Sequence, residues 1–342
     1  MLYRNILIVR MSAIGDVIHA LPVARALKKA DPTVRITWIV EKLAYDLLTN
    51  NPDIDELIFF DRPKFTSLSG FAQNAPSFTK YLRSKKFDLS LDLQGLFKSA
   101  AIVKMAGAST RLGYCNMREM SWLFSRPVCG PHIEGNIIDR YLDVLRELGI
   151  EPGPPEWVIN VTEEERANAE AAMREAGGDP NSPYIVMASG TSWQSKCWPV
   201  ESYGELVNRI LSEYDVQIVL IGSGGDTPMA QGILSRTEGP VYDLTGKLTL
   251  KELAHIHRQS RLFIGGDTGP MHLAVAVGTP VVALFGPTDP RKYGPYGPEH
   301  IVVRTEVDCG PCHKRTCANP RCMESITPEQ VFAAVKRRGA ID

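Results

Sequence analysis

Short polar loops that directly follow apolar strands carry the residues able to do chemistry, and the first of them is Met11-Ser-Ala-Ile-Gly-Asp16. It comes after the apolar run Asn5–Arg10 and before a helix-spaced series, Val17, Leu21, Ala24 and Leu27. With a single glycine it is neither a GxGxxG fingerprint nor a GxxxxGK[ST] phosphate loop. Asp16 enters the first helical turn, where a carboxylate either caps the helix or stands open as a general base.

A second loop is Phe263-Ile-Gly-Gly-Asp-Thr-Gly-Pro-Met-His272. Its paired glycines let the backbone approach a ligand closely, and Pro270 suits the start of a helix. Free N–H groups there, with the Thr268 hydroxyl, make an anion site fit for a diphosphate. The alternative is a tight turn capped by Asp267 or Thr268. Gly222-Ser-Gly-Gly-Asp226 is a weaker signal, a turn able to hold a ribose or a base. Ala188-Ser-Gly-Thr-Ser-Trp-Gln-Ser-Lys-Cys-Trp-Pro199 adds Ser189, Thr191, Ser192 and Lys196. Lys196 either meets a phosphate as a point charge or is a solvated loop lysine.

The elements that must position these loops alternate strand and helix. Asn5–Arg10, a helix ended by Asp31-Pro32, and Arg35–Val40 form a βαβ unit, hence a parallel sheet. Strands recur at Glu56–Phe60 and Asp88–Leu93, and a helix includes Tyr141–Leu148. Gly149-Ile-Glu-Pro-Gly-Pro-Pro155 is the richest Pro/Gly segment and the expected linker. A second series follows, with strands at Tyr184–Ala188, Gln217–Ile221, Leu262–Ile264 and Val281–Phe285. Helices are expected at Val200–Tyr214, Thr227–Ser235, Thr249–Gln259, Pro270–Val277 and Thr327–Arg338. The expected architecture is α/β, with two doubly wound parallel-sheet domains facing a cleft and ligands beyond the carboxyl ends of the strands. Residues 1–155 and 156–326 are the two domains, and 327–342 form a helix expected to pack back on the first.

The chain has 342 residues, 44% of them hydrophobic, and a formal net charge of −1. That composition excludes wholesale disorder and a histone-like nucleic-acid coat. No apolar run is long enough for a membrane-spanning helix, and the start reads as a strand rather than a signal peptide. The near-zero charge hides a contrast: from Arg62 to Arg126 eleven Lys and Arg face three Asp and Glu. Phe65, Phe71, Phe78, Tyr81 and Phe87 are interleaved with those cations. The stretch is either a set of ordinary solvated faces or a surface for an acidic, acylated saccharide at a membrane.

Seven cysteines, an odd number, point to a reducing cytoplasm. Cys115, Cys129 and Cys197 are expected to be unpaired. Cys309, Cys312, Cys317 and Cys322, beside His313, are ligands enough for zinc or an iron–sulfur centre, but structural or incidental thiols are the expectation and no metal is assigned.

Taken together the four loops resemble the ADP-heptose lipopolysaccharide heptosyltransferases of glycosyltransferase family 9. The likeness rests on Ser12-Ala-Ile-Gly-Asp-Val-Ile-His-Ala-Leu-Pro22 and Asp267-Thr-Gly-Pro-Met-His272, then on Lys196-Cys-Trp-Pro199, Asp92-Leu-Gln-Gly-Leu-Phe-Lys98 and Phe285-Gly-Pro-Thr-Asp-Pro290. The first half is most similar to members that add the first heptose to the Kdo of the inner core. The resemblance implies a GT-B fold, an inverting mechanism, no metal and no cofactor. It implies Asp16 as the base that deprotonates the acceptor. Lys196 and the Thr268–Met271 backbone, with Gly269 and Pro270, would hold the ADP diphosphate, and Asp267 and His272 would orient it. Ser189, Thr191 and Asp226 complete the expected donor site. Asp226 stands where relatives often carry a glutamate of longer reach.

Ser12, Gly15, Arg62, Lys64, Gln94, Lys98 and Arg118 are the expected contacts of a Kdo-lipid A acceptor at the inner-membrane surface, with no nucleic-acid partner. Competing expectations are a later core acceptor, a nucleotide-sugar epimerase of the same architecture, or a non-catalytic polyanion-binding protein. The last does not explain why Asp16, Lys196 and Asp267 each fall in a strand-to-helix loop.

Overall fold

The computed structural model describes residues 2–339, and these fall into two compact units, residues 1–160 and 161–342 of the chain. In the first unit the strands are β1 (Asn5–Val9), β2 (Arg35–Val40), β3 (Glu56–Phe59), β4 (Leu89–Asp92), β5 (Thr110–Tyr114) and β6 (Arg126–Val128). Its helices are α1 (Ile14–Ala30), α2 (Lys42–Leu48), α3 (Leu68–Ser84), α4 (Phe97–Ala106) and α5 (Ile137–Arg146). All strand pairs are parallel, in the order β3-β2-β1-β4-β5-β6. β1 is wholly apolar after Asn5 because helices cover both of its faces.

The second unit repeats this plan. Its strands are β7 (Tyr184–Ala188), β8 (Gln217–Ile221), β9 (Val241–Asp243), β10 (Leu262–Gly266), β11 (Val281–Phe285) and β12 (Ile301–Arg304). Its helices are α6 (Glu163–Glu175), α7 (Val200–Glu213), α8 (Thr227–Leu234), α9 (Leu250–Gln259) and α10 (Gly269–Ala276). The short α11 (Pro290–Tyr293), α12 (Arg321–Glu324) and the final α13 (Pro328–Arg338) follow. The strand order is β12-β11-β10-β7-β8-β9. Counted within the unit this is again 3-2-1-4-5-6. In each sheet the order therefore reverses beside the first strand, at β1/β4 and at β7/β10, and such reversal points are where open α/β sheets bind ligands.

Several expectations need correction. The first unit continues past residue 155, because residues 157–160 pack on it. Trp157 Nε1 donates to the Ile18 carbonyl at 3.0 Å, and Asn160 Nδ2 to the Asn50 carbonyl at 3.0 Å. The terminal helix spends its apolar face in the second unit: Val331, Phe332 and Val335 join a core with Trp198, Tyr203 and Ile210. Residues 340–342 of that expected segment lie outside the described residues.

Cys115 and Cys129, expected as free thiols, are joined in a disulfide. They follow the neighbouring strands β5 and β6, whose carboxyl ends lie side by side. The odd cysteine count therefore carries no information about compartment. Cys197 is free, as expected. Of the aromatics read as interleaved with surface cations, Phe87 is buried, and Phe65 and Phe78 pack on the same core around Phe60. Among the described residues no helix is long and apolar enough to cross a membrane.

Candidate active site

Each sheet presents a cluster of charged groups at its reversal point. In the first unit Arg10 directly follows β1, and its buried guanidinium reaches two neighbours. Its Nη2 lies 2.6 Å from Asp16 Oδ2, and its Nη1 donates to the Leu93 carbonyl at 2.9 Å, just past β4. Gln94 Oε1 accepts from the Met11 and Ser12 N–H groups at 3.0 and 3.2 Å. The loop before α1 is thus tied across the β1/β4 boundary by two side chains. Asp16 Oδ2 also accepts from the Ala13 N–H at 3.2 Å. The capping reading of Asp16 is satisfied, since it closes the helix start, and about a third of its side chain remains open to solvent (36%).

Asp92, the last residue of β4, is fully buried beneath this loop. Burial pushes its carboxyl up to about 6, against the opposing pull of the Gly95 N–H and other donors. Arg10 and Asp92 were not singled out in the sequence as site residues. The signal available was position: each sits at the carboxyl end of a strand flanking the reversal point.

The expected acceptor residues divide. Gln94 and the Ser12 N–H are spent on holding the loop. Gly15 lies in the first turn of α1. Lys98 pairs with Glu41 at 2.9 Å and Lys64 with Asp61 at 3.0 Å. Arg62 and Arg118 are exposed.

In the second unit Lys196, from the loop after β7, crosses to Asp267 at the end of β10. Its Nζ lies 2.6 Å from Asp267 Oδ2 and donates to the Asp267 carbonyl at 3.2 Å. The Thr288 hydroxyl donates to the same Oδ2 at 2.7 Å, and His272 Nε2 lies 3.4 Å from Oδ1. Burial alone would raise the Asp267 carboxyl. The His272 hydrogen bond and the Lys196 ammonium outweigh it and hold the group well below the ordinary carboxylate range. Asp267 is therefore an anchored anion that aims Lys196, rather than a proton carrier.

α10 starts next to this clamp, with Thr268 as its N-cap residue and Pro270 in its first turn. The Thr268 hydroxyl bonds back to the Gly266 carbonyl at 3.3 Å, leaving the first N–H groups of the helix without a side-chain cap. Gly269, Pro270 and Met271 form that first turn. An ammonium beside an uncapped helix start is a site for an anion. Ser189, at the end of β7, is buried with a hydroxyl that has no hydrogen-bond partner among the described residues. The Thr191 hydroxyl is spent on the Trp193 carbonyl at 2.6 Å. Lys196 Nζ stands 4.4 Å from the centre of the Trp193 ring, with Arg315 on that ring at 5.5 Å.

Asp226 accepts from the N–H and hydroxyl of Ser223, both at 2.7 Å, and lies against Gly190, where any Cβ would collide with its carboxylate. It thereby joins the loops after β7 and β8. Thr288, in the Gly-Pro-Thr-Asp turn, joins the site only through the fold, because nothing in sequence tells which polar residue of that turn faces inward.

Among the described residues no group of three or more His, Cys, Asp or Glu side chains is arranged to hold a metal ion. Cys309, Cys312 and Cys317 are free thiols on one loop, and Cys322 is a free thiol in α12. Burial pushes the Cys322 thiol up, and its cysteine neighbours push it further. The same loop braces the donor side: Ser195 donates through its N–H to the Arg315 carbonyl at 3.2 Å and through its hydroxyl to that of Lys314.

Two parallel-sheet units of the same strand order thus carry, at their respective reversal points, a carboxylate held by an arginine and an ammonium beside a helix start. Residues 76–323 match the profile of glycosyltransferase family 9 (heptosyltransferase), and the chain belongs to that family. It is a glycosyltransferase of the GT-B fold class. It is 27% identical to lipopolysaccharide heptosyltransferase 1 of Pseudomonas aeruginosa, over 96% of each chain. A solved glycosyl transferase family 9 structure from Veillonella parvula superposes with a TM-score of 0.84 at 26% identity, covering 98% of this chain and 97% of that one. The Escherichia coli heptosyltransferase WaaC, solved with ADP, shares the fold at a TM-score of 0.73 and 22% identity, with 98% of each chain covered.

Proposed function

We propose that this protein transfers heptose from ADP-heptose to the Kdo of a lipid A-anchored inner core, at the cytoplasmic face of the inner membrane. The observation that carries it is the Lys196–Asp267 clamp beside the uncapped start of α10. Negative charge grows on the leaving diphosphate as the sugar–oxygen bond breaks, and pre-aimed donors stabilise that charge without reorganising. Ser189, Thr268, Gly269, Met271 and His272 complete the donor contacts, while Asp226 serves the ribose side. The similarity to proteins named lipopolysaccharide heptosyltransferase 1 supports the sugar and the first-heptose position, and the relative solved with ADP supports the donor nucleotide.

Asp16 takes the proton from the acceptor hydroxyl as its oxygen attacks the anomeric carbon from the face opposite the diphosphate, so the configuration inverts. Arg10 keeps Asp16 aimed. Charge stabilisation by Lys196 and helix N–H groups fills the role a divalent metal plays elsewhere, so the reaction is metal-independent in this reading. Arg62 and Arg118 offer free guanidinium groups to the carboxylate or phosphates of the acceptor.

The deciding experiment measures ADP release and product mass with ADP-heptose against Kdo-lipid A and a series of core acceptors. The expected product is Kdo-lipid A carrying one heptose. Transfer only to cores that already bear heptose would assign a later step, and release of free sugar without acceptor would overturn the transferase reading.

A further inference from the structure

The segment 309–322 holds four of the seven cysteines, and no step of the transfer uses it. Its backbone is nevertheless fixed to both halves of the Lys196–Asp267 clamp. On one side Ser195, buried next to Lys196, donates through its N–H and its hydroxyl to the carbonyls of Arg315 and Lys314. On the other, the His313 N–H donates to the Pro287 carbonyl at 2.9 Å, one residue before Thr288, whose hydroxyl reaches Asp267. The end of the segment packs on the same turn: a Cβ added to Gly286 would stand 2.9 Å from Cys322 Sγ. Residues 313–315 thus have their main chain held from two directions, by the loop after β7 and by the turn after β11.

What this backbone presents is the Arg315 guanidinium. It lies 5.5 Å from the centre of the Trp193 ring, and Lys196 Nζ lies 4.4 Å from the same centre. The two cations are therefore within about 10 Å of each other, close enough for one small anion to feel both. Arg315 is exposed, and no carboxylate pairs with it among the described residues. Two like charges gathered on one aromatic ring repel each other, so a backbone that keeps them there maintains a positive potential that an anion relieves. A guanidinium stacked on an indole keeps its edge free, and that edge meets phosphate oxygens in pairs. Asp267 already offsets the Lys196 ammonium. A diphosphate seated between Lys196 and the start of α10 therefore calls for a further cation, and Arg315 supplies one.

We propose that Arg315 is a donor-binding residue, whose guanidinium bonds the diphosphate of the nucleotide sugar, and that the cysteine-bearing segment holds it in place. It rests on the donor reading above, in which Lys196 and the start of α10 receive that diphosphate. Charge grows on the diphosphate as it leaves, so the loss of Arg315 is felt in kcat as well as in binding.

The test is calorimetric titration of the full chain with ADP at several salt concentrations. Arg315→Gln is expected to weaken ADP about tenfold at low salt, the worth of a charged hydrogen bond. The gap from wild type should narrow as salt rises, because it is electrostatic. Arg315→Lys, which keeps the charge without the fork, is expected to fall between the two. Both variants should melt as wild type does, since the main chain of the segment and not this side chain holds Ser195. Wild-type ADP affinity in Arg315→Gln overturns the proposal, as does a loss that salt does not narrow, or early melting of both variants. Lys196→Met is titrated alongside. A loss of ADP affinity there with none in Arg315→Gln overturns this proposal alone, whereas a wild-type chain that binds no ADP overturns the donor reading and this proposal with it.

Discussion

Arg10 stands 2.6 Å from the Asp16 carboxylate while donating to the Leu93 carbonyl at 2.9 Å, so one buried guanidinium ties the candidate base to the end of the neighbouring strand. The second unit mirrors the relationship with opposite roles: there a carboxylate, Asp267, is the buried anchor and Lys196 is the group it aims. Arg10 and Leu93, like Lys196 and Asp267, lie at or just beyond the ends of two strands that are neighbours because the sheet reverses its order between them.

Asp16→Asn keeps size and helix capping but removes the base. Transfer is expected to fall by about a thousandfold, with the ADP dissociation constant unchanged by calorimetry. Turnover close to wild type would remove Asp16 from the reaction.

Arg10→Met leaves the Leu93 carbonyl without its donor and Asp16 without its anchor. A loss of about 1–3 kcal/mol in unfolding free energy is expected, and about a hundredfold in kcat from misplacement of the base. KM for the donor should stay unchanged, and Arg10→Lys, which keeps the charge but not the fork, should recover part of the loss.

Lys196→Met should weaken ADP binding by about ten- to a hundredfold. It also strands the buried Asp267 charge, at a cost of about 3–5 kcal/mol. The double variant Lys196→Met/Asp267→Asn is therefore expected to regain stability without regaining ADP affinity. Recovery of both would place the diphosphate elsewhere.

Asp92 gives a signed pH dependence. Its carboxyl sits at about 6 in the folded chain, above the ordinary 3.8 of the unfolded one. Between those values the folded state holds a proton that the unfolded state has released, so stability falls as pH rises from about 4 to about 6. Asp92→Asn should remove that decline, worth about 2–3 kcal/mol. Urea unfolding of both proteins across this range checks it, and parallel profiles would refute it.

Ser189→Ala removes a buried hydroxyl with no partner. Stability should hold or rise slightly, whereas ADP affinity should drop about fivefold, the worth of one hydrogen bond.

Much of this was legible without coordinates. Continuous apolar runs such as Asn5–Val9 and Tyr184–Ala188 mark strands covered on both faces, and helix-spaced series between them force parallel pairing. The loops that bear Asp16, Lys196 and Asp267 could be read because a polar cluster between a strand and a helix has one place to go, the carboxyl edge. The edge strands β6 and β9, three residues each, are too short to show a period, so they were missed.

Sequence by itself determined the fold class, the family resemblance and the residues most able to do chemistry, since all of these follow from local periodicity and short motifs. Only the tertiary structure decided their partners. That Arg10 reaches the Leu93 carbonyl, that Asp267, bonded by Thr288, holds Lys196, that Gln94 is spent on a loop, and that Cys115 meets Cys129 are all contacts between separate strands or turns. They depend on strand order and register, which apolar patterning leaves open. Composition likewise concealed that the exposed large apolar side chains among the described residues belong to one unit, because exposure is set by what packs against a residue and not by its type.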